Sequence, residues 1–195
     1  MSRLHLAAST IAVALALCAG AALTGSAQTQ GEPARFTAMA VNMDNGRTST
    51  VDIVVSRWST ESERQRLLSV LIEKGPEKLL DVLQDMPRVG YFRTPTSTGW
   101  DLHYAQRTPL PEGGERVVVA TDRRINFWEA RNRPRSIDYP FTVIELHVNK
   151  DGEGEGKMSI ATKITVEKDK STVVLENYGT QPVLLQSVKR ERATR

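Results

Sequence analysis

The chain has 195 residues, of which 39% are hydrophobic, 25% charged and 6% aromatic. That length suits one domain with at most a short tail, and the composition excludes collagen-like, disulfide-stapled and wholly disordered proteins. Twenty-six basic residues against 23 acidic ones give a formal net charge of +3, which is too small to indicate a nucleic-acid partner.

Residues 1–27 have the layout of a secretory signal peptide. Arg3 supplies a positive charge, an uncharged Ala/Leu/Val-rich stretch runs from Leu6 to Leu23, and Gly25–Ala27 provides small residues for cleavage before Gln28. The alternative is a membrane anchor, which needs roughly 20 strongly apolar residues. We therefore expect export to the periplasm or the extracellular space, with no membrane span after cleavage.

Cysteine usage bears on the same question. Cys18 is the only cysteine, so cleavage leaves a mature chain without a disulfide or a thiol nucleophile. Lipidation of Cys18 would instead tether the chain, but Leu17 stands where such a signal has a small residue. The mature chain of 195 − 27 = 168 residues is long enough to be stable by its hydrophobic core alone.

The mature chain divides into a polar leader at 28–34, expected to be disordered, a single β-rich domain at 35–189 and a basic tail at 190–195. Alternation over 35–43 and 48–58 predicts two strands. The Asn45-Gly46 pair between them favours a tight hairpin turn. The residues predicted to share one face are Phe36, Ala38, Ala40 and Asn42 in the first strand, and Val51, Ile53 and Val55 in the second.

A short helical hairpin follows the first strand pair. Thr60 and Glu63 form a capping box, Gly75 ends the first helix, and Pro76 begins a second helix that Pro87 stops. The predicted apolar stripes are Leu67, Leu68, Leu71 and Ile72 in the first helix, and Leu79, Leu80, Leu83 and Met86 in the second.

The rest of the chain alternates between strands and turns. Strands are predicted at 88–93, 99–107, 115–121, 125–130, 139–149, 156–167, 171–178 and 182–189. Tight turns at 111–114, 151–156 and 178–180 imply antiparallel neighbours. The predicted fold class is α+β: a mainly antiparallel sheet of about ten strands, sandwich or barrel-like, with one inserted helical hairpin.

The two histidines of the mature chain stand in matching Asp-Leu-His and Glu-Leu-His contexts. Residues i and i+2 of a strand share a face. Each acid therefore lies on the same face as its histidine, and the leucine between them lies on the opposite face. If the two strands were neighbours in register, Asp101, His103, Glu145 and His147 would converge. They could then bind zinc or non-haem iron in a metal-dependent enzyme. The alternative is polar side chains on the solvent face.

The densest mixture of charged and aromatic residues runs from Thr121 to Arg131. Arg124 and Arg131 could bind an anionic ligand, because guanidinium groups pair with carboxylate or phosphate in a bidentate manner. The alternative is cross-strand pairing with nearby acids. Phe127 and Trp128 could line a pocket, although aromatic residues on strands more often belong to the core.

The Gly-rich stretch from Asp151 to Gly156 imitates the start of a calcium-binding loop. Such a loop needs a bidentate glutamate at its twelfth position, which here is Thr162. A glycine-rich hairpin with solvated acids is the favoured interpretation.

Four stretches of the chain resemble a family of exported bacterial proteins that has no assigned activity. They are Thr121–Glu129 (TDRxIxFxE), Asp138–Leu146 (DYPFTVIEL), Gly152–Gly156 (GxGEG) and Glu176–Val183 (ENYGxQPV), and the helical segment between Trp58 and Leu83 agrees with them. The resemblance spans nearly all of the mature chain and implies a single exported domain, without implying any functional residue.

The sequence contains no G-x-S-x-G, H-E-x-x-H or Walker A motif, and no G-x-G-x-x-G after a predicted strand. We therefore expect a non-catalytic domain without a cofactor, which binds a small ligand in its interior or an envelope protein on its surface. An interior pocket would be lined by residues such as Phe127, Trp128 and Phe141. The metal-dependent enzyme described above is the alternative function.

Overall fold

The computed structural model describes residues 31–43, 45–122, 141–167, 172–177 and 183–191. Within these ranges the chain forms ten strands and two helices. The helices are α1 (Glu61–Lys74) and α2 (Pro76–Gln84). The strands are β1 (Ala34–Val41), β2 (Thr48–Val55), β3 (Gly90–Arg93), β4 (Trp100–Leu102), β5 (Tyr104–Pro109), β6 (Glu115–Thr121), β7 (Phe141–Val148), β8 (Glu153–Glu167), β9 (Thr172–Asn177) and β10 (Val183–Glu191).

The strands form one antiparallel sheet in the order β4-β3-β2-β1-β10-β8-β7-β6-β5. The second half of β8 runs beyond its pairing with β10 and β7, and there it pairs with β9. The predicted α+β class with a mainly antiparallel sheet and an inserted helical hairpin is confirmed.

The sheet curls into a nearly closed barrel because β4 and β5 are consecutive pieces of one bent stretch. The carbonyl of Leu102 accepts from the N–H of Val89 at 2.8 Å, beside β3. The next residue, His103, donates its N–H to the carbonyl of Ala120 in β6 at 3.0 Å. The two ends of the strand order therefore meet at His103.

The barrel interior is filled with side chains. One hydrophobic cluster collects buried residues from nine strands, which requires that all of these strands turn one face inward. Its largest fully buried members are Phe36, Phe92, Ile53, Leu102, Ile144, Leu146, Met158 and Leu185. The predicted inward positions of the first hairpin are confirmed for Phe36, Ala38, Ala40, Val51, Ile53 and Val55, which are all buried.

A second apolar cluster lies on the outside of the barrel. Side chains of the helical hairpin contact the outward-facing residues of the sheet there. The buried members are Leu71, Leu79, Leu83, Met86, Ala120, Phe141 and Val143. The strands β6 and β7 therefore bury both faces, one in the barrel core and one beneath the helices.

Both ends of the helical hairpin are fixed near the β4–β5 junction. Before α1, Ser59 donates its N–H to the carbonyl of Ala105 at 2.8 Å, and its hydroxyl accepts from the N–H of Ala105 at 3.0 Å. After α2, the carbonyl of Met86 accepts from Nδ1 of His103 at 2.9 Å. The predicted capping box is present, with Thr60 and Glu63 each accepting from the other's backbone N–H.

The observed elements differ from the prediction in a few places. The predicted strand 99–107 is divided at His103, where the sheet closes. The predicted tail begins too early, since Arg190 and Glu191 pair with β1 as the end of β10. Ile72 was assigned to the apolar stripe of α1, but it is 59% exposed. The predicted strand 125–130 lies outside the described residues.

The glycine-rich turn is also shorter than predicted. The turn ends at Gly152, and the strand already begins at Glu153. Within the turn, the Asn149 side-chain oxygen accepts from the N–H groups of Asp151 and Glu153 at 2.9 and 3.0 Å. Gly154 and Gly156 therefore lie in β8, where the backbone of the neighbouring strand β7 approaches closely.

Candidate functional site

A cavity of about 300 Å³ lies between the helical hairpin and the outer face of β5, β6 and β7. We call it the helix–sheet cavity. The main apolar lining consists of Leu67, Leu68, Leu71, Leu79, Leu83, Val118, Ala120, Phe141, Val143 and Ile164. The polar lining consists of Arg64, Tyr104, Gln106 and Arg116. A mainly apolar space thus carries a small set of polar groups.

On the helix side, the polar and apolar residues are separated along α1. Arg64 precedes Leu67, Leu68 and Leu71 by three, four and seven residues, so all four lie on one face of the helix. Arg64 lies nearest the anchored N-terminal end at Ser59. The lining contributed by α1 therefore changes from charged to apolar as the helix proceeds.

The sheet side also carries both polar and apolar lining residues. Tyr104 pairs with Ala120 and Gln106 with Val118, while Arg116 lies one step further along the outward face of β6. Beside them on β7, Val143 is succeeded by Glu145 two residues later on the same face. The polar end of the cavity is thus lined by Tyr104 and Gln106 on β5 and by Arg116 on β6, and its apolar end by Ala120, Phe141 and Val143.

Tyr104 lies at the polar end of the cavity. Its hydroxyl donates to Oε1 of Gln106 at 2.6 Å. Burial raises the pKa of Tyr104 to about 12, against the opposing influence of the nearby Arg64 and Arg116 guanidinium groups. The phenol therefore stays neutral at physiological pH and adds no negative charge to this end.

Glu145 forms the centre of a charged cluster beside the cavity. Its Oε1 accepts from Nε of Arg116 at 2.7 Å and from Nε2 of His147 at 2.9 Å, and Lys157 Nζ lies 3.6 Å from Oε2. Burial acts to raise the pKa of Glu145, but these hydrogen bonds and charges outweigh it and lower the pKa to about 2. One carboxylate thus meets two permanent cations.

This cluster predicts a pH-dependent contribution to stability. Because the folded-state pKa of Glu145 lies below the usual 4.5, its contribution is complete above about pH 4.5 and is lost as the pH falls towards 2. Glu145→Gln should cost about 2 kcal/mol at pH 7, since exposure of the partners screens the charges. Urea unfolding of both proteins from pH 7 to pH 2 should show the difference shrinking. A difference that stays constant across this range would contradict the assignment.

The four predicted metal ligands do not come together. Asp101 pairs with Nε of Arg88 at 2.8 Å, on β4. His103 contacts Met86 and lies 3.7 Å from Asp122. Glu145 and His147 pair with each other on β7, and β6 lies between β7 and β5.

No three His, Cys, Asp or Glu side chains form a group suited to a metal ion in the part of the chain that the structure describes. The shared face predicted for Glu145 and His147 is present, but the condition for a four-residue site is not met, because β6 separates the strand that follows His103 from β7. His103 instead links the end of α2 to the point where the barrel closes.

The predicted ligand-binding residues Arg124, Phe127, Trp128 and Arg131 lie outside the described residues. Phe141, which was expected to face an interior pocket, lines the helix–sheet cavity on the outside of the barrel. The glycine-rich stretch holds its acids apart: Glu153 lies 3.6 Å from Lys189, and Asp151 is in the turn.

Sequence reasoning missed Arg64, Tyr104 and Arg116 as site residues. The usable signal was the unbroken apolar run of Val117–Ala120, since a strand with apolar residues on both faces is buried on both. Such a run beside an amphipathic helical hairpin indicates that the hairpin covers the outer face. The residues that border this covered area are then the candidates for a ligand site.

Comparison of the chain with protein-family models, with curated proteins and with solved structures finds no match. The resemblance to exported bacterial proteins therefore stays a prediction. No helix within the described ranges combines the length and apolar character needed to cross a membrane.

Proposed function

We propose that this protein is an exported, non-catalytic binding domain that takes a small amphipathic ligand into the helix–sheet cavity. The observation that carries the proposal is the cavity itself, an apolar space of about 300 Å³ with polar groups gathered at one end. Small-molecule sites are typically concave, mainly apolar and supplied with a few convergent polar groups.

The size of the cavity supports a small ligand. An apolar cavity of about 150 Å³ holds benzene, and drug-sized ligands occupy pockets of about 300–1,000 Å³. The helix–sheet cavity lies at the lower limit of that range. It matches a single aliphatic chain or a small ring system rather than a large cofactor.

The division of the molecule into two apolar clusters supports this location. The barrel interior is filled by side chains such as Phe36, Phe92 and Leu146, which are fully buried. The outer cluster is shared between the helical hairpin and the sheet, and the cavity lies inside it. A ligand in this cavity would contact both layers at once.

The test uses N-phenyl-1-naphthylamine, a neutral apolar dye whose fluorescence rises in an apolar site. Val118→Phe places an extra ring in the cavity from the outward face of β6. Val54→Phe is the matched control, because Val54 is also a partly exposed strand residue and belongs to neither apolar cluster. We expect the wild type and Val54→Phe to bind the dye, and Val118→Phe to bind it about tenfold more weakly or worse.

Urea unfolding checks that both variants are folded before they are compared. Equal dye binding by all three proteins would contradict the proposed location, and no dye binding by the wild type would contradict the proposed function.

A further inference from the structure

We infer that the ligand is a single-chain amphiphile with an anionic head group, carboxylate or phosphate, which Arg64 and Arg116 bind at the polar end of the helix–sheet cavity. The inference rests on the proposed function and names the ligand class. It depends on two arginines from different layers that line the same cavity as the Tyr104 side chain.

Arg64 is fixed in place with donors to spare. Its Nε and Nη2 donate to the two carboxylate oxygens of Glu61 at 2.8 and 2.6 Å. A guanidinium carries five N–H donors in a planar fork, so its bonds to described residues leave three for another acceptor. Glu61 thus orients the Arg64 guanidinium without using all of its donors.

Arg116 reaches the same end from the sheet. Within the described ranges it uses one N–H group, in the 2.7 Å bond to Glu145, which leaves four for other acceptors. Arg64, Arg116 and Tyr104 all line the same cavity. The head group of a ligand beside Tyr104 would therefore lie between two cationic forks, one from each layer.

The charge balance of this end favours an anion. Arg64 and Arg116 line the cavity, and its described lining contains no carboxylate. Glu61 and Glu145 pair with these arginines from outside the lining. Tyr104 stays neutral because its pKa is about 12. A cationic head group would face two guanidinium groups of like charge, and a neutral one would accept their hydrogen bonds without the attraction between opposite charges.

The apolar end of the cavity determines which hydrocarbon part of the ligand can bind. Beyond the arginines the lining is formed by leucines of both helices and by Val118, Val143 and Phe141 of the sheet. A volume of about 300 Å³ accommodates one medium-length aliphatic chain and not the two chains of a membrane phospholipid. The ligand is therefore a free single-chain carboxylic acid or phosphate ester rather than a membrane phospholipid.

The experiment measures displacement of N-phenyl-1-naphthylamine by four ten-carbon compounds below their micelle-forming concentrations: decanoate, decyl phosphate, decanol and decyltrimethylammonium. We expect the two anions to compete about tenfold better than decanol, and the cation to compete worst. Raising the salt concentration should weaken the anions and leave decanol unchanged. Vesicles of an anionic two-chain phospholipid, mixed with the protein in the absence of dye, should not carry the protein into the pellet on centrifugation.

Two variants assign the preference to the arginines. Arg64→Gln and Arg116→Gln should each bring the affinity for decanoate within about threefold of that for decanol. Arg66→Gln is the matched control, because Arg66 is an exposed residue of the same helix that does not line the cavity. It should keep the full preference for anions. Arg64→Gln is informative even if loss of Arg116 destabilises the fold by leaving Glu145 with fewer partners.

The outcomes separate this inference from the proposed function. Equal competition by decanoate and decanol would overturn the anionic head group and leave the binding function standing. Sedimentation of the protein with the phospholipid vesicles would overturn the single-chain ligand. Loss of dye binding in Val118→Phe supports the proposed function. Loss of the preference for anions in Arg64→Gln supports the anionic ligand.

Discussion

Replacing Gly154 by alanine is expected to destabilise the protein by about 3 kcal/mol or more. Gly154 lies in β8 opposite Val148 of β7, and a Cβ atom built there would overlap the carbonyl oxygen of His147. The obstacle is backbone rather than the end of a flexible side chain. The two strands would have to separate, and the pairing that connects β7 to β10 through β8 would weaken.

Gly113→Ala is the control for this substitution. Gly113 lies in the β5–β6 turn with a φ of 91°, and a Cβ atom there would meet nothing within 4 Å. The cost should be only the left-handed backbone penalty of about 1–2 kcal/mol. Urea unfolding followed by circular dichroism measures both. Equal destabilisation of the two variants would show that β7 and β8 are not as close as described.

Phe92→Ala is expected to cost about 3–5 kcal/mol, because it opens a cavity in the filled barrel interior. Phe92 is fully buried on β3, and its ring centroid lies 5.6 Å from that of Trp100 on β4. These two strands are next to the closure point at His103. Loss of the ring therefore removes packing where the barrel has least strand pairing.

Tyr91→Ala is the matched control, since Tyr91 is the preceding aromatic residue and faces outward. Its ring contacts the guanidinium groups of Arg88 and Arg93, at 5.4 and 5.6 Å from the ring centroid. Such exposed contacts are worth about 0.5–1 kcal/mol each. Chemical unfolding should thus show Phe92→Ala as much the more damaging change. The opposite order would mean that β3 turns its other face to the core.

The positions of individual helices and turns could be predicted from the sequence, because they depend on signals within a few neighbouring residues. The Thr60–Glu63 capping box, the Gly75-Pro76 junction and the Asn45-Gly46 turn each act over a few residues, and the elements that they delimit are present. Alternation along β1 and β2 predicted which side chains face the core for the same reason.

Closure and the site depend on distant residues, which is why the sequence did not reveal them. The bend at His103 joins β3 to β6 through backbone groups that no side-chain pattern encodes. The glycines of β8 look like turn residues, but their function is to admit the carbonyls of β7. At the polar end of the cavity, the lining residues Arg64 and Arg116 come from positions that are 52 residues apart in the chain.

The central claim is that ligand binds outside the barrel, between the helical hairpin and the sheet. Methyl NMR of the isoleucine-, leucine- and valine-labelled protein, titrated with decanoate, tests it most directly. Methyl signals of cavity residues should shift: Leu67, Leu71, Leu83, Val118, Val143 and Ile164. Those of the filled interior should stay: Ile53, Leu102, Leu146 and Leu185. Shifts confined to the interior set, or no shifts at all, would contradict the account.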